Sequence, residues 1–241
     1  MMLLWWLWTL ICLGWIGYGV YQYISLPKRI LWFIPLLLLG RWLIIPWTGF
    51  EPVGHSARYL AVFTGEIPVV GDTSFYPSMQ IVWWLLGHLS LGMLHPSFWA
   101  SLIGGLSICW LTTDEKEICW WPFLWLALCI EHMVWSSSIY NVIFPFAMLT
   151  LAVRFAKSTK WEFVSMSMAM AVAWRMETVL FWGVLLAFLP IWDWKVLVRS
   201  MWGTVLSLVL LSTMSVPGEG DYLASISHNW WLWSLLRSRC C

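Results

Sequence analysis

The densest group of chemically able side chains in this sequence falls in one short segment, Gly49-Phe50-Glu51-Pro52-Val53-Gly54-His55-Ser56-Ala57-Arg58-Tyr59-Leu60. A carboxylate such as Glu51 can act as general base toward an acceptor hydroxyl, or ligate a divalent cation. The residue types leave a metal requirement open. His55 is the weaker candidate, since a lone loop histidine is usually a hydrogen-bonding surface residue. On chemistry alone the plainer reading of the segment is a polar loop that caps a helix. Two further groups stand out. Glu131-His132 is an acid/base or metal pair, or else a helix end at an interface. Arg175-Met176-Glu177 interrupts a long apolar run, where each charge costs about 2.5–3.5 kcal/mol unless it faces a cavity or a partner. Residues two apart on a continuous helix do not face each other, which favours separate partners for Arg175 and Glu177. Arg41, in another apolar run, either holds a lipid phosphate or snorkels to the headgroups. Asp114-Glu115-Lys116-Glu117 reads as a solvated turn.

Composition says what kind of elements must hold these residues. Of 241 residues, 61% are hydrophobic and 10% charged, against roughly 25% charged in a typical soluble domain. Too little polar sequence remains to coat a water-facing surface, so the expected fold is all-α: a polytopic bundle of membrane helices forming a single transmembrane domain over residues 1–241. A transmembrane barrel would need polar alternation, which is missing. The 13 Lys and Arg are scattered between apolar runs with a net charge of +1, which excludes a nucleic-acid surface. The 24 tryptophans, with doublets at Trp5-Trp6, Trp83-Trp84, Trp120-Trp121 and Trp230-Trp231, read as belts at the membrane interfaces. Cys12, Cys109 and Cys129 sit in apolar runs as small apolar side chains, and Cys240-Cys241 are candidates for lipid attachment. The chain has no Cys-x-x-Cys pair, so zinc and redox chemistry find no support. The first 24 residues lack a basic leader and a cleavage site, and read as a retained span.

About 20 apolar residues cross a bilayer. Residues 3–24, 30–47, 139–153 and 196–216 qualify or nearly so; 98–111 and 119–130 are short; 161–190 is too long for one short span. The total expected is about seven membrane segments. Residues 79–94, with Gly87, His88 and Gly92, either cross or lie at the interface. Basic residues flanking spans stay in the cytoplasm. Placing Lys28-Arg29, Arg154, Lys157, Lys160, Lys195 and Arg199 there leaves residues 48–77, Glu131 and the Arg175-Met176-Glu177 group outside. That topology closes only if residues 79–94 do not change sides or one short run is re-entrant. Within the 48–77 loop an amphipathic helix is expected around residues 56–63, lying on the membrane.

The loop has a further reading. Acidic Glu51, the helical Arg58-Tyr59-Leu60, the exit Gly65-Glu66-Ile67-Pro68 and the re-entry Tyr76-Pro77 follow one another as in a known pattern. The stretch resembles the first extracytoplasmic loop of the C-fold, polyprenyl-phosphate-sugar-dependent glycosyltransferases, particularly bacterial relatives of the dolichyl-phosphate-mannose protein mannosyltransferases. Ala173-Trp174-Arg175-Met176-Glu177 resembles that family's helix break, with an arginine and a carboxylate near the outer surface. The family places Asp, often Asp-Glu, where this chain has Glu51 followed by Pro52, so His55 is the alternative counterpart. Family members also run to more spans, often with a soluble C-terminal domain, and a further C-terminal part is expected here.

The resemblance implies an integral protein of the bacterial inner (plasma) membrane that transfers a sugar from a polyprenyl-phosphate carrier to an acceptor on the outer face, with inversion. Its partners would be membrane lipid and the polyprenyl-phosphate sugar. Glu51, or His55, would be the base; Arg58, Tyr59, Arg175, Glu177 and Glu131 would hold substrate, the arginines stabilising the departing lipid phosphate. A low-dielectric site beside lipid would raise the Glu51 pKa toward neutrality. Two alternatives belong to other classes: a non-catalytic membrane assembly subunit, and a transporter or flippase component, for which residues 161–190 would be a broken helix.

Overall fold

A computed structural model describes residues 2–24, 34–35, 55–69, 76–91, 93–113, 119–129, 142–181, 193–212, 215–216 and 220–221. These residues form α1 (Met2–Tyr23), α2 (His55–Thr64), α3 (Pro77–Leu89), α4 (Pro96–Thr112), α5 (Trp120–Leu128), α6 (Ile143–Lys157), α7 (Trp161–Trp174), a 3-10 turn (Met176–Leu180) and α8 (Trp194–Ser212). The expected all-α class is what they show. The one exception is a two-residue antiparallel pairing of Ser215-Val216 with Gly220-Asp221, which shortens the last span expected from sequence to end at Ser212. Among the described residues, α1 (22 residues) and α8 (19 residues) are the helices long and apolar enough to cross a membrane.

Local chemistry sets the helix ends. Pro77 and Pro96 each open a helix, at positions whose N–H would find no intrahelical acceptor. His95 caps α4 by accepting the Ser97 N–H at Nδ1, 3.3 Å, with the Ser97 hydroxyl 2.7 Å from the same nitrogen. α2 ends in a Schellman turn: the Glu66 N–H bonds the Ala61 carbonyl at 2.9 Å, the Gly65 N–H bonds Val62 at 3.2 Å, and Gly65 takes φ +80°. This is the glycine exit expected before Pro68.

α7 is the axis of the bundle. Every one of its residues except Glu162 is buried, as a helix apolar all round must be. α6 returns antiparallel to it through a tight turn in which Thr159 takes φ +56°. α1 crosses it with Cys12 Sγ 3.8 Å from Met166 Sδ and with Gly19 against the Phe163 ring. α8 runs parallel to α7 along a seam of small and polar groups. The Gly203 N–H donates to Ser165 Oγ (2.8 Å), Ser207 Oγ donates to the Ala169 carbonyl (2.9 Å), and Trp8 Nε1 of α1 donates to Ser207 Oγ (2.9 Å). The exposed face of α8 is Val198, Trp202, Val205, Leu206 and Val209. That is the reverse of a water-soluble helix: hydroxyls lie inside and hydrocarbon outside. α1 repeats the pattern, burying Thr9 against Ser78 (hydroxyls 2.9 Å apart) while exposing Leu3, Leu7, Leu10 and Ile11.

The bundle has two unlike ends. At one, the C-terminus of α6 meets the N-termini of α7 and α8 and the end of α1. Arg154 donates to the Thr113 carbonyl (2.6 Å), Lys160 lies 4.3 Å over the Tyr23 ring, and Arg199 is 3.6 Å from Glu162. The described basic residues assigned to one side from sequence, Arg154, Lys157, Lys160, Lys195 and Arg199, therefore belong to elements that share an end. α3 is short at 13 residues and begins level with Thr9, partway along α1, before rising past Trp6 to the opposite end. The tryptophan doublets are a correction. Trp5 and Trp83 are buried core residues, whereas Trp120 and Trp121 are both exposed, and Trp230-Trp231 lies outside the described residues.

Candidate functional site

The end of the bundle away from the basic residues is built by α2, α3, the start of α6 and the close of α7. α2 offers its Tyr59, Val62 and Phe63 face to α3, with Tyr59 fully buried and Arg58 half-buried. Contact with α3 is close because Gly87 has no side chain; a Cβ there would run into the Phe63 carbonyl oxygen. From Phe63 a line of edge-packed rings crosses the bundle. Phe63 meets Trp83 at 6.0 Å between centroids, Trp83 meets Phe144 at 4.9 Å, and Phe144 meets Trp174 at 5.5 Å.

Trp174 is the last residue of α7. The next, Arg175, is half-buried and extended (φ −159°, ψ 105°), its N–H still bonded to the Ala171 carbonyl at 2.9 Å. Its own carbonyl accepts the Thr178 N–H (3.0 Å) and the Thr178 hydroxyl (2.6 Å), which fixes the chain in the 3-10 turn that carries Glu177. The helix is broken at Arg175, so the spacing rule for a continuous helix does not govern Arg175 and Glu177. The fold thus joins the helix bearing His55, Arg58 and Tyr59 to the break bearing Arg175 and Glu177, through Trp83 and Phe144. Comparison with known protein families, curated proteins and solved structures returned no match.

Glu51 and Glu131 lie outside the described residues. Among the described residues, no three His, Cys, Asp or Glu side chains converge where they could hold a metal. On the far side of Phe63 is an open pocket of about 650 Å³ between the end of α2 and the α3–α4 turn, lined by Leu60, Phe63, Leu94 and two imidazoles, His88 and His95. The His88 Nδ1 sits 2.9 Å from the Trp84 carbonyl, which can only accept, so Nδ1 is the protonated nitrogen of the neutral ring. His95 has the opposite tautomer, because its Nδ1 accepts the Ser97 N–H. Partial burial lowers the His95 pKa. Arg58, Tyr59 and Arg175 are not among the residues that line this pocket.

The residues that sequence reasoning missed are Trp83, Phe144 and Trp174. Trp174 had a signal in adjoining Arg175 at a helix end; Phe144, at the start of α6, and Trp83, mid-way along α3, adjoin no candidate in sequence.

Proposed function

We propose that this chain is an integral membrane glycosyltransferase that moves a sugar from a polyprenyl-phosphate carrier to an acceptor hydroxyl on the extracytoplasmic face. The observation that carries the reading is that α2, with half-buried Arg58, and the α7 break, with half-buried Arg175, are linked through Trp83 and Phe144 at the end of the bundle opposite Arg154, Lys160 and Arg199. The hydrocarbon exterior of α1 and α8 supports membrane insertion. Glu51 takes the proton of the acceptor as its oxygen attacks the anomeric carbon, and His55 is the next candidate for that role. The bond to the lipid phosphate breaks, and Arg58 and Arg175 stabilise the charge that develops there. Tyr59, Glu177 and Glu131 hold sugar and acceptor.

The break in α7 also favours a second reading, a transporter or flippase component, since discontinuous helices bind substrate in such proteins. One assay separates the two: transfer of labelled sugar from a synthetic polyprenyl-phosphate sugar by wild type and Glu51→Gln. The glycosyltransferase reading expects turnover by wild type and none by the variant. Equal turnover by both removes Glu51 as the base and turns attention to His55. Movement of the carrier across vesicles without transfer establishes the second reading.

A further inference from the structure

Two buried hydrogen-bond donors at the candidate end have no acceptor among the described residues. The indole nitrogens of Trp83 and Trp174 are both buried and find no hydrogen-bond partner among the described residues. Buried donors are nearly always satisfied, and one left over asks for a cause. Ser167 Oγ, mid-way along α7, is also without a partner among the described residues, but a helical serine hydroxyl can rotate toward a carbonyl of the preceding turn. An indole N–H is fixed in its ring plane and has no such escape. The two indoles are separated by a single ring, since both pack edge-on against Phe144 (interplanar angles 74° and 87°). Trp174 adjoins Arg175 at the break, and Trp83 adjoins Phe63 on the helix that carries Arg58.

We infer that Trp83 and Trp174 donate their indole N–H groups to the oxygens of an anionic lipid headgroup, a polyprenyl phosphate, admitted at the α7 break. The inference rests on the glycosyltransferase reading for the identity of the lipid. The chemistry fits the residues: a phosphate brings several strong acceptors, and neutral donors in a low-dielectric site bind an anion tightly without adding charge to be buried when the site is empty. Broad apolar rings beside the donors suit a ligand whose next atoms are hydrocarbon.

The test uses the full chain in detergent, labelled with 5-fluorotryptophan, with the two resonances assigned by their loss in Trp83→Phe and Trp174→Phe. The probes are farnesyl phosphate, farnesol and inorganic phosphate. Farnesyl phosphate should shift both resonances, and the other two should leave them in place at equal concentration. Each Phe variant keeps a six-membered aromatic ring and loses the pyrrole with its donor, so farnesyl phosphate should bind it about tenfold more weakly, consistent with loss of a hydrogen bond to a charged group. With benzothienylalanine, which fills the same space, melting temperature should stay level or rise, because an unsatisfied donor is removed without opening a cavity. Replacing either indole with benzothienylalanine, in which sulfur stands for the N–H, gives the same readout if a Phe variant does not fold. Resonances that ignore farnesyl phosphate, variants that bind it as wild type does, or variants that lose only stability would each overturn the inference. An equal response to inorganic phosphate would refute the lipid. Sugar transfer is scored separately: binding without transfer sinks the glycosyltransferase reading and leaves the indole assignment standing.

Discussion

Gly87→Ala tests whether the approach of α2 to α3 is set by a missing side chain. A Cβ at position 87 would strike the Phe63 carbonyl oxygen and lie 2.9 Å from its carbon and 3.2 Å from the Phe63 Cα. All three are main-chain atoms, so no rotamer change relieves the clash. Restoring ordinary contact distances requires α2 to retreat by roughly 1–1.5 Å, and interiors packed to crystal density resist such shifts. Overpacking of this kind costs about 1–3 kcal/mol, and for a chain of this size that lowers the melting temperature by roughly 3–10 °C. Gly14→Ala and Gly17→Ala are the controls. A Cβ at either meets nothing within 4 Å, and alanine is the better helix former by up to about 1 kcal/mol. The assay is thermal unfolding in detergent followed by circular dichroism, with sugar transfer measured on the same samples. The expected order is Gly87→Ala below wild type, with both controls level or above. A Gly87→Ala protein that melts with wild type would refute the contact, and with it the placement of the helix that carries Arg58.

Three more outcomes are expected. Ser207→Ala removes the acceptor of the Trp8 indole and the donor to Ala169, and leaving a buried N–H unpaired should cost about 1–3 kcal/mol, read as a lower unfolding midpoint. Thr159→Gly should raise stability by roughly 0.5–1 kcal/mol in the same melt, because a β-branched residue at φ +56° is strained by more than glycine adds in unfolded-chain entropy. Acidification should loosen the α4 cap: burial lowers the His95 pKa, so the unfolded chain binds this proton more tightly and stability falls as pH drops below about 6.5 through the folded value. His95→Asn, which caps without titrating, should flatten that part of a stability–pH profile, and an unchanged profile would show the cap is not responsible.

Helix content was legible where the physics is local. The Gly65 exit, the proline start at Pro77, and the helix over Arg58-Tyr59-Leu60 follow from backbone rules that act within a few residues. The grouping of Arg154, Lys160 and Arg199 at one end was legible too, because charge asymmetry is written along the chain. Burial within a tryptophan doublet was not. Trp83 and Trp84 have the same composition signal, and only the packing of α3 against α2 and α6 decides that Trp83 is the core residue. Likewise the pairing of Ser165 with Gly203 and of Ala169 with Ser207 joins positions 38 apart, and no periodicity in either segment points to the other. The site inherits this division: its charged members were visible as anomalies in apolar runs, whereas the aromatic line that connects them looked like ordinary hydrophobic sequence.

The position of α7 constrains the order in which the molecule can be made. It is wrapped on all sides, yet α8, which covers its Ser165 and Ala169 face, comes later in the chain. During synthesis there is an interval when α7 is complete and that hydroxyl and carbonyl have no cover. Ribosomal emergence is N-terminal first, at about 5–20 residues per second, so the gap between the end of α7 and the start of α8 keeps the face bare for about a second or more. Over that interval the nascent chain offers a helix-sized groove with hydrogen-bonding groups along its floor. The segment it must accept is the one still inside the ribosome, and any protein that shields the groove until α8 arrives would act as its chaperone.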